Sequence, residues 1–228
     1  MKNKKTTAAI FTTLLTIGTL GITPLLAHPN PQLEEAIKNS SKEQVSYFQQ
    51  MELYAQLANH YKMIGKTQKE KHFFEKSYLL MEKINQPYLN AQAKAHLANE
   101  FAAAKEYDKS LKVLAAIQDQ RVRAHTTWKV ASKLAKDKEN KRSLKLLMDL
   151  EKEIASIKDL ELKAELLTGT GAKYRFLDPN RGIALVYEAY GIAQTYKDPF
   201  TKAIMYNELG ANLIDIGQKE KAMQLFKE

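Results

Sequence analysis

Apolar positions recur with a helical period from Lys42 almost to the last residue. They stand three and four places apart, and no window alternates apolar and polar residues long enough to predict a strand. The 228 residues include only 9 glycines and 6 prolines, so stretches rich in Ala, Leu, Lys and Glu run without helix breakers. The pattern predicts an all-α protein.

Two stretches of the chain resemble each other. Residues 105–117 (KEYDKSLKVLAAI) align with residues 138–150 (KENKRSLKLLMDL), and with the same offset residues 96–101 align with residues 129–134. Self-similarity at a spacing of about 33 residues is typical of proteins built from stacked helix pairs. The alternative is an ordinary helical bundle whose periodicity arose by chance, and the paired match argues against it.

The same order of residues recurs near both ends of the chain. It runs through Tyr54, Leu57, Ala58, Tyr61, Gly65 and Phe74, and again through Tyr206, Leu209, Gly210, Leu213, Gly217, Ala222 and Phe226. This order resembles tetratricopeptide repeats (TPRs), in which an aromatic residue and a large–small pair on a first helix precede a turn and a second helix.

The resemblance covers about residues 44–228, with turns near Gly65, Lys105, Lys138, Asp178 and Gly217. It implies a right-handed solenoid of about five TPR-like helix-turn-helix repeats. Because the turns are unequally spaced, the repeats are expected to be irregular.

The first 27 residues have the order of parts of a secretory signal peptide. Lys2, Lys4 and Lys5 precede an apolar core that runs from Ala8 to Leu20. We expect cleavage after Ala27 and a periplasmic, lumenal or extracellular location, the alternative being an uncleaved N-terminal anchor. A polar linker, residues 28–43, then leads to the repeat domain, residues 44–228.

Motifs for catalysis or metal binding are not found in the sequence. Cysteine is absent, the five histidines are widely spaced, and no Ser or Thr lies in a nucleophile motif. The sequence Gly169-Thr170-Gly171 has Tyr174 where a dinucleotide loop needs a third glycine, so close helix packing explains it better. We therefore expect no cofactor, metal or catalytic residue, and a binding protein rather than an enzyme.

Trp128, the only tryptophan, is the main candidate for a partner-binding residue. It lies one place beyond the usual core aromatic of its repeat, and a helical rotation of ~100° turns it toward the inner, concave face. The same geometry places Asn59, Asn99, His125 and Ser132 there. An aromatic among polar groups is typical of a binding hot spot, so we predict a protein or peptide partner in this groove. Alternatively, Trp128 packs against the next helix pair.

Positive charge is concentrated between residues 105 and 145, where 12 Lys or Arg stand against 5 Asp or Glu, while the whole chain has a formal charge of +9. Such a segment either is a solvated edge of the repeats or steers an acidic protein or an anionic membrane or envelope surface. Nucleic acid is not expected, because aromatics are not interleaved with the basic residues. The candidate basic patch comprises Lys105, Lys109, Lys112, Arg121, Arg123, Lys129, Lys133, Lys136, Lys141, Arg142 and Lys145.

The second helix of the last repeat contains Leu225 and Phe226. We expect these two residues to form an apolar edge, which makes self-association a secondary prediction.

Overall fold

The computed structural model describes residues 41–227, and all of their regular structure is helical. The predicted signal peptide and the linker up to residue 40 lie outside this range. The prediction of an all-α protein is confirmed. Ten α-helices, with a short 3-10 helix at Tyr174–Phe176, occupy the described residues: α1 (Lys42–Met63), α2 (Thr67–Glu82), α3 (Pro87–Ala103), α4 (Tyr107–Ala115), α5 (Gln120–Lys136), α6 (Asn140–Ala155), α7 (Leu160–Lys173), α8 (Pro179–Gln194), α9 (Pro199–Asp215) and α10 (Lys219–Leu225).

No helix between residues 41 and 227 is both long enough and apolar enough to cross a lipid bilayer. The chain divides into two compact units, and the division falls between Ala93 and Lys94, within α3. In the first unit α1 packs against α2. Tyr61 and Phe73 stack there with ring centroids 5.3 Å apart. Glu70 is buried and pairs with the Lys62 ammonium at 3.0 Å.

The second unit has two clusters of buried apolar side chains, a large one shared by α5 to α10 and a smaller one formed by Ala102, Tyr107, Val130 and Leu134. Helix α7 packs against α5, α6, α8 and α9, and α9 packs in turn against α8 and α10. Each of these helices buries one apolar side, which is the arrangement that amphipathic helices need. The largest fully buried side chains of this unit include Leu134, Leu147, Ile154, Leu166, Tyr174, Leu209 and Leu213.

Small residues let neighbouring helices of the second unit approach closely. The Ser110 hydroxyl donates a hydrogen bond to the Ala98 carbonyl at 2.7 Å, and in the next helix pair Ser143 donates to Ala131 at 2.8 Å. Gly171 and Gly182 occupy the corresponding places in α7 and α8. A Cβ added at Gly171 would lie 2.8 Å from the Gly182 carbonyl oxygen, so this contact requires glycine.

Four of the five predicted turns share one backbone geometry, in which a residue with positive φ follows the first helix. This residue is Gly65, Lys105, Lys138 or Gly217, with φ of 70°, 61°, 67° and 84°. At the third turn Lys138 N–H donates to Ala135 O at 3.0 Å, and the next N–H donates to Leu134 O at 2.8 Å. These bonds satisfy carbonyl groups at the helix end. The remaining turn differs, because Asp178 caps α8 by accepting a hydrogen bond from the Arg181 N–H at 3.1 Å.

Lys138 adopts a left-handed conformation that costs an L-residue roughly 1–2 kcal/mol and costs glycine much less. We therefore expect Lys138→Gly to raise the free energy of unfolding by up to about 1 kcal/mol, after allowing for the greater freedom of glycine in the unfolded chain. The control Lys145→Gly, at an exposed position inside α6, should lower it by about 1 kcal/mol. Urea unfolding measures both. Equal losses in the two variants would contradict the assigned turn geometry.

Candidate functional site

Helix α5 presents a row of exposed side chains at helical spacing. Asp119 fixes its start by accepting a hydrogen bond from the Val122 N–H at 2.8 Å. Arg121, His125 and Ser132 are exposed along one side of the helix, and Trp128 lies half-buried between them. The structure therefore brings together three of the five predicted partner-binding residues on a single helix face.

Trp128 joins α5 to α7. Its indole N–H donates to the Thr170 hydroxyl at 3.0 Å. The ring lies on Gly169, where an added Cβ would stand 2.2 Å from the indole Cη2 atom. The indole thus packs against the next helix pair, which is the alternative that the sequence left open. The exposed part of the ring adjoins His125, whose ring centroid is 4.6 Å away.

An ion-pair network connects the same two helices on the surface. The Arg121 guanidinium pairs with Glu165 at 2.8 Å, and His125 Nε2 lies 3.3 Å from the other oxygen of that carboxylate. We call Arg121, His125, Trp128, Ser132 and Glu165 together the α5/α7 surface. It offers an aromatic edge beside charges of both signs.

Two carboxylates at this surface have displaced pKa values. Partial burial of Glu165 raises its pKa, but the hydrogen bond from His125 and the charge of Arg121 outweigh it and hold the pKa below the ordinary value. For Glu208, on α9, partial burial and then the negative charge of Glu165 raise the pKa. Glu165 is therefore the more firmly ionised of the two.

The two predicted asparagines lie in different places. Asn59 is half-buried on α1 in the first unit, and Asn99 is half-buried on α3 in the second. On α3, one helical turn before Asn99, stands His96. Burial, and then the charge of Lys129, lower the pKa of His96 to about 4, so its ring is neutral at physiological pH.

The predicted basic patch is divided among several helices. Many of its members pair with carboxylates, as Arg123 does with Glu153 at 2.8 Å and Arg142 with Asp108 at 2.5 Å. Lys105 and Lys133 both approach Asp137, at 3.9 and 3.5 Å, and Lys109 approaches Glu106 at 3.2 Å. Apart from Arg121, which pairs with Glu165 as described above, the remaining members are exposed on α4, α5 and α6. They are Lys112, Lys129, Lys136, Lys141 and Lys145.

Sequence reasoning missed Glu165 as part of the α5/α7 surface, and it missed its neighbours Gly169, Thr170 and Glu208. One signal could have found Glu165. The interval from His125 to Glu165 is the same as the interval between the equivalent small residues Ala131 and Gly171. Aligning the repeats on these small residues would have placed Glu165 beside the predicted histidine.

A cavity of about 400 Å³ lies between α6 and α8, with Leu144, Met148 and Leu185 in its apolar wall. Its polar side is held by Glu151, which accepts hydrogen bonds from the Tyr174 hydroxyl and from Arg181. Burial of Tyr174 and this bond raise the tyrosine pKa. These polar groups satisfy one another and hold α6 to α8, so we assign the cavity a structural role.

Among residues 41–227, no group of three or more His, Asp or Glu side chains is arranged to hold a metal ion. Comparison of the chain with protein-family models, curated proteins and solved structures gave no match.

We expect Gly169→Ala to displace the indole, because the new Cβ would overlap the ring of Trp128. Since the chain has one tryptophan, its fluorescence reports this contact directly. The emission should shift to longer wavelength, and the free energy of unfolding should fall by roughly 1–3 kcal/mol.

The matched control is Gly191→Ala on α8, where an added Cβ meets nothing within 4 Å. It should leave the emission unchanged and stabilise the protein by roughly 0.5–1 kcal/mol, because alanine favours a helix. Identical spectra for the two variants would show that Trp128 does not lie on Gly169.

Glu165 and Glu208 should affect stability with opposite signs at pH 7. The lowered pKa of Glu165 means that its charge stabilises the folded state above pH 4.5, the ordinary value, and that this contribution is lost as the pH falls through the lowered pKa. The raised pKa of Glu208 means that its charge opposes folding above the same pH.

We therefore expect Glu165→Gln to lower the free energy of unfolding at pH 7 and Glu208→Gln to raise it. The difference for Glu165→Gln should shrink as the pH falls from 4.5 through the lowered pKa, and the difference for Glu208→Gln should shrink as the pH falls through the raised pKa toward 4.5. Urea titrations across this range measure them. A loss of stability in both variants at pH 7 would contradict the assignment for Glu208.

Proposed function

We propose that this protein is an exported, noncatalytic scaffold that binds another protein or peptide across the α5/α7 surface. The observation that carries the proposal is the arrangement of Trp128, His125, Arg121 and Glu165 on two successive first helices. An aromatic edge beside hydrogen-bonding groups of both charges suits a polar, extended partner segment.

The proposal includes a repeat architecture, in which helix pairs stack as TPR-like repeats of a right-handed solenoid. Two features of the second unit support it. The serine–carbonyl contact and the positive-φ turn both recur at the same interval, the first at Ser110 and Ser143 and the second at Lys105 and Lys138. In such an array the first helices lie side by side, which gives an extended surface for a partner.

Binding fits this surface better than catalysis does. The side chain of His125 is half exposed to water, and the Glu165 carboxylate is already neutralised by Arg121 and bonded to His125. A reaction site needs groups that are held away from water and poised to change charge. Here the same groups are open to solvent, where an arriving chain can exchange one polar contact for another.

The N-terminal pattern of residues 1–27 motivates the export part of the proposal. A protein recovered from its host with His28 as its first residue agrees with it, and a protein that retains Met1 argues against it.

The sharpest test places a photo-crosslinking amino acid at Ser132, within the α5/α7 surface, in the full chain expressed in its own host. The matched control places it at Lys145, which is also exposed but lies on the second helix α6. We expect one stoichiometric protein adduct from Ser132 and none from Lys145. The adduct should still form when the sample is irradiated at high salt, because binding to the α5/α7 surface buries apolar and hydrogen-bonded area as well as charge.

His125→Ala should reduce this adduct several-fold, because it removes a side chain that a partner would contact without disturbing the buried core. Equal adducts from Ser132 and Lys145 would overturn the proposed surface. Binding that high salt abolishes would instead favour an anionic membrane or envelope surface held by exposed lysines such as Lys129 and Lys136.

A further inference from the structure

Helix α9 exposes large apolar side chains to water. Phe200 and Ile204 expose 74% and 47% of their surface, and Glu208 and Ala211 are exposed on the same helix. All four lie on one side of α9, because they stand three, four or eight places apart. We call these four residues the α9 face.

The sequence predicted an exposed apolar edge elsewhere, at Leu225 and Phe226. Leu225 is buried, so the prediction is wrong for this residue. The Phe226 ring lies on Gly210, where an added Cβ would stand 2.3 Å from Cε1 of the ring. Both side chains pack on the second-helix side of α9, and the α9 face lies on another side.

The α9 face occupies the same positions as the α5/α7 surface does on the two preceding first helices. Each first helix has one small residue against the second helix of its pair, namely Ala131, Gly171 and Gly210. The residues six places before these are His125, Glu165 and Ile204. The residues one place after them are Ser132, Ala172 and Ala211. None of these last six residues is fully buried.

Helices α5, α7 and α9 lie side by side in the same register. His125 Nε2 lies 3.3 Å from Glu165, and just beyond α7 the Arg175 guanidinium donates to the Asp215 carbonyl oxygen at 3.3 Å. Both contacts join residues 40 places apart. Burial, and then the negative charge of Glu165, raise the pKa of Glu208, so these two carboxylates lie near each other. The α5/α7 surface therefore continues onto the α9 face.

The character of this continuous surface changes from one helix to the next. At the position ten places before the small residue, α5 has Arg121, α7 has Glu161 and α9 has Phe200. All three are exposed. The α7 and α9 parts thus combine open apolar side chains with carboxylates, including Glu208. Such a surface complements a segment that carries an apolar side chain and a positive charge close together.

The lysines of α7 and α9 do not neutralise Glu208. Lys163 approaches Glu188 on α8 at 3.9 Å, and Lys202 lies over the Tyr206 ring at 5.4 Å from its centroid. Lys173 is the last residue of α7. The negative charge of the α9 face therefore remains available to a partner.

We propose that the partner is an extended segment that crosses α5, α7 and α9 and places a large apolar side chain on Phe200 and Ile204 and a lysine or arginine beside Glu208. This inference rests on the proposed function, because it assigns the chemistry of that same partner. Packed helices lie about 9 Å apart, so Ser132 and Ala211 are separated by about 18 Å. An extended chain that rises about 3.3 Å per residue spans this distance in about six residues.

The first experiment repeats the photo-crosslinking in the full chain, expressed in its own host, with the reactive amino acid at Ala211. The matched control places it at Ala184, which is exposed on α8. Ala211 and Ser132 should attach to the same protein, and mass spectrometry should place the two attachment points about six residues apart. Ile204→Ser should reduce the Ala211 adduct several-fold, whereas Met223→Ser, which changes a residue that is 55% exposed on α10, should not.

The second experiment tests the charge by presenting the full chain with a display library of random decapeptides. The wild type should enrich peptides in which lysine or arginine stands beside a large apolar residue. Glu208→Lys should reduce this enrichment several-fold and favour acidic peptides, because it reverses the charge that the partner meets. Glu220→Lys, exposed on α10, makes the same change of net charge and should keep the wild-type preference. Circular dichroism verifies that each variant keeps its helix content.

The outcomes separate this inference from the proposed function. An adduct at Ser132 with none at Ala211, or with another protein at Ala211, would overturn the extended segment and leave the proposed function standing. An equal loss of basic peptides in Glu208→Lys and Glu220→Lys would overturn the role of Glu208. The absence of any adduct at Ser132 would overturn the proposed function and this inference with it.

Discussion

The close approach of neighbouring helices at small residues is the constraint on which the second unit depends. At Ala98 and Ala131 the facing residue is a serine whose hydroxyl bonds the helix carbonyl. In α7 and α8 the two residues are Gly171 and Gly182, and the backbones come so near that a side chain would overlap a carbonyl oxygen. A larger residue at any of these places would separate the helices and expose the apolar sides that now bury one another.

This contact also determines which side chains remain available to a partner. One side of α5 is held against α6 through Ala131. The residues about a quarter turn away on α5 therefore either pack against α7 or are exposed to solvent. Trp128 does both. Its indole closes the gap above Gly169 and bonds Thr170, while its outer edge and His125 stay at the surface. A side chain that is held in place by packing loses little freedom when a partner binds, so it is well suited to contribute to affinity.

The sequence sufficed for the helical class and for the turns, because both follow from local patterns. The glycines at residues 65 and 217 identify two helix ends without knowledge of the tertiary structure. The alternation of small and large residues identifies two more, at Lys105 and Lys138. Even the lysines in left-handed turns are recognisable, since Lys105 and Lys138 occupy the same place in two matching segments. The equivalence of repeats, rather than residue type, is what locates them.

The electrostatic character of the candidate surface could not be predicted in the same way. The sequence shows a basic segment between residues 105 and 145, but a helix distributes consecutive charges around its axis, so this segment cannot form one face. Acidic residues from elsewhere then neutralise part of it. Glu165 and Glu153, which lie outside the segment, pair with Arg121 and Arg123. Long-range pairing of this kind depends on which helices become neighbours, and it converts a run of positive charge into a surface of mixed sign. A partner would therefore be selected by the local arrangement of donors and acceptors around Trp128 rather than by net charge alone.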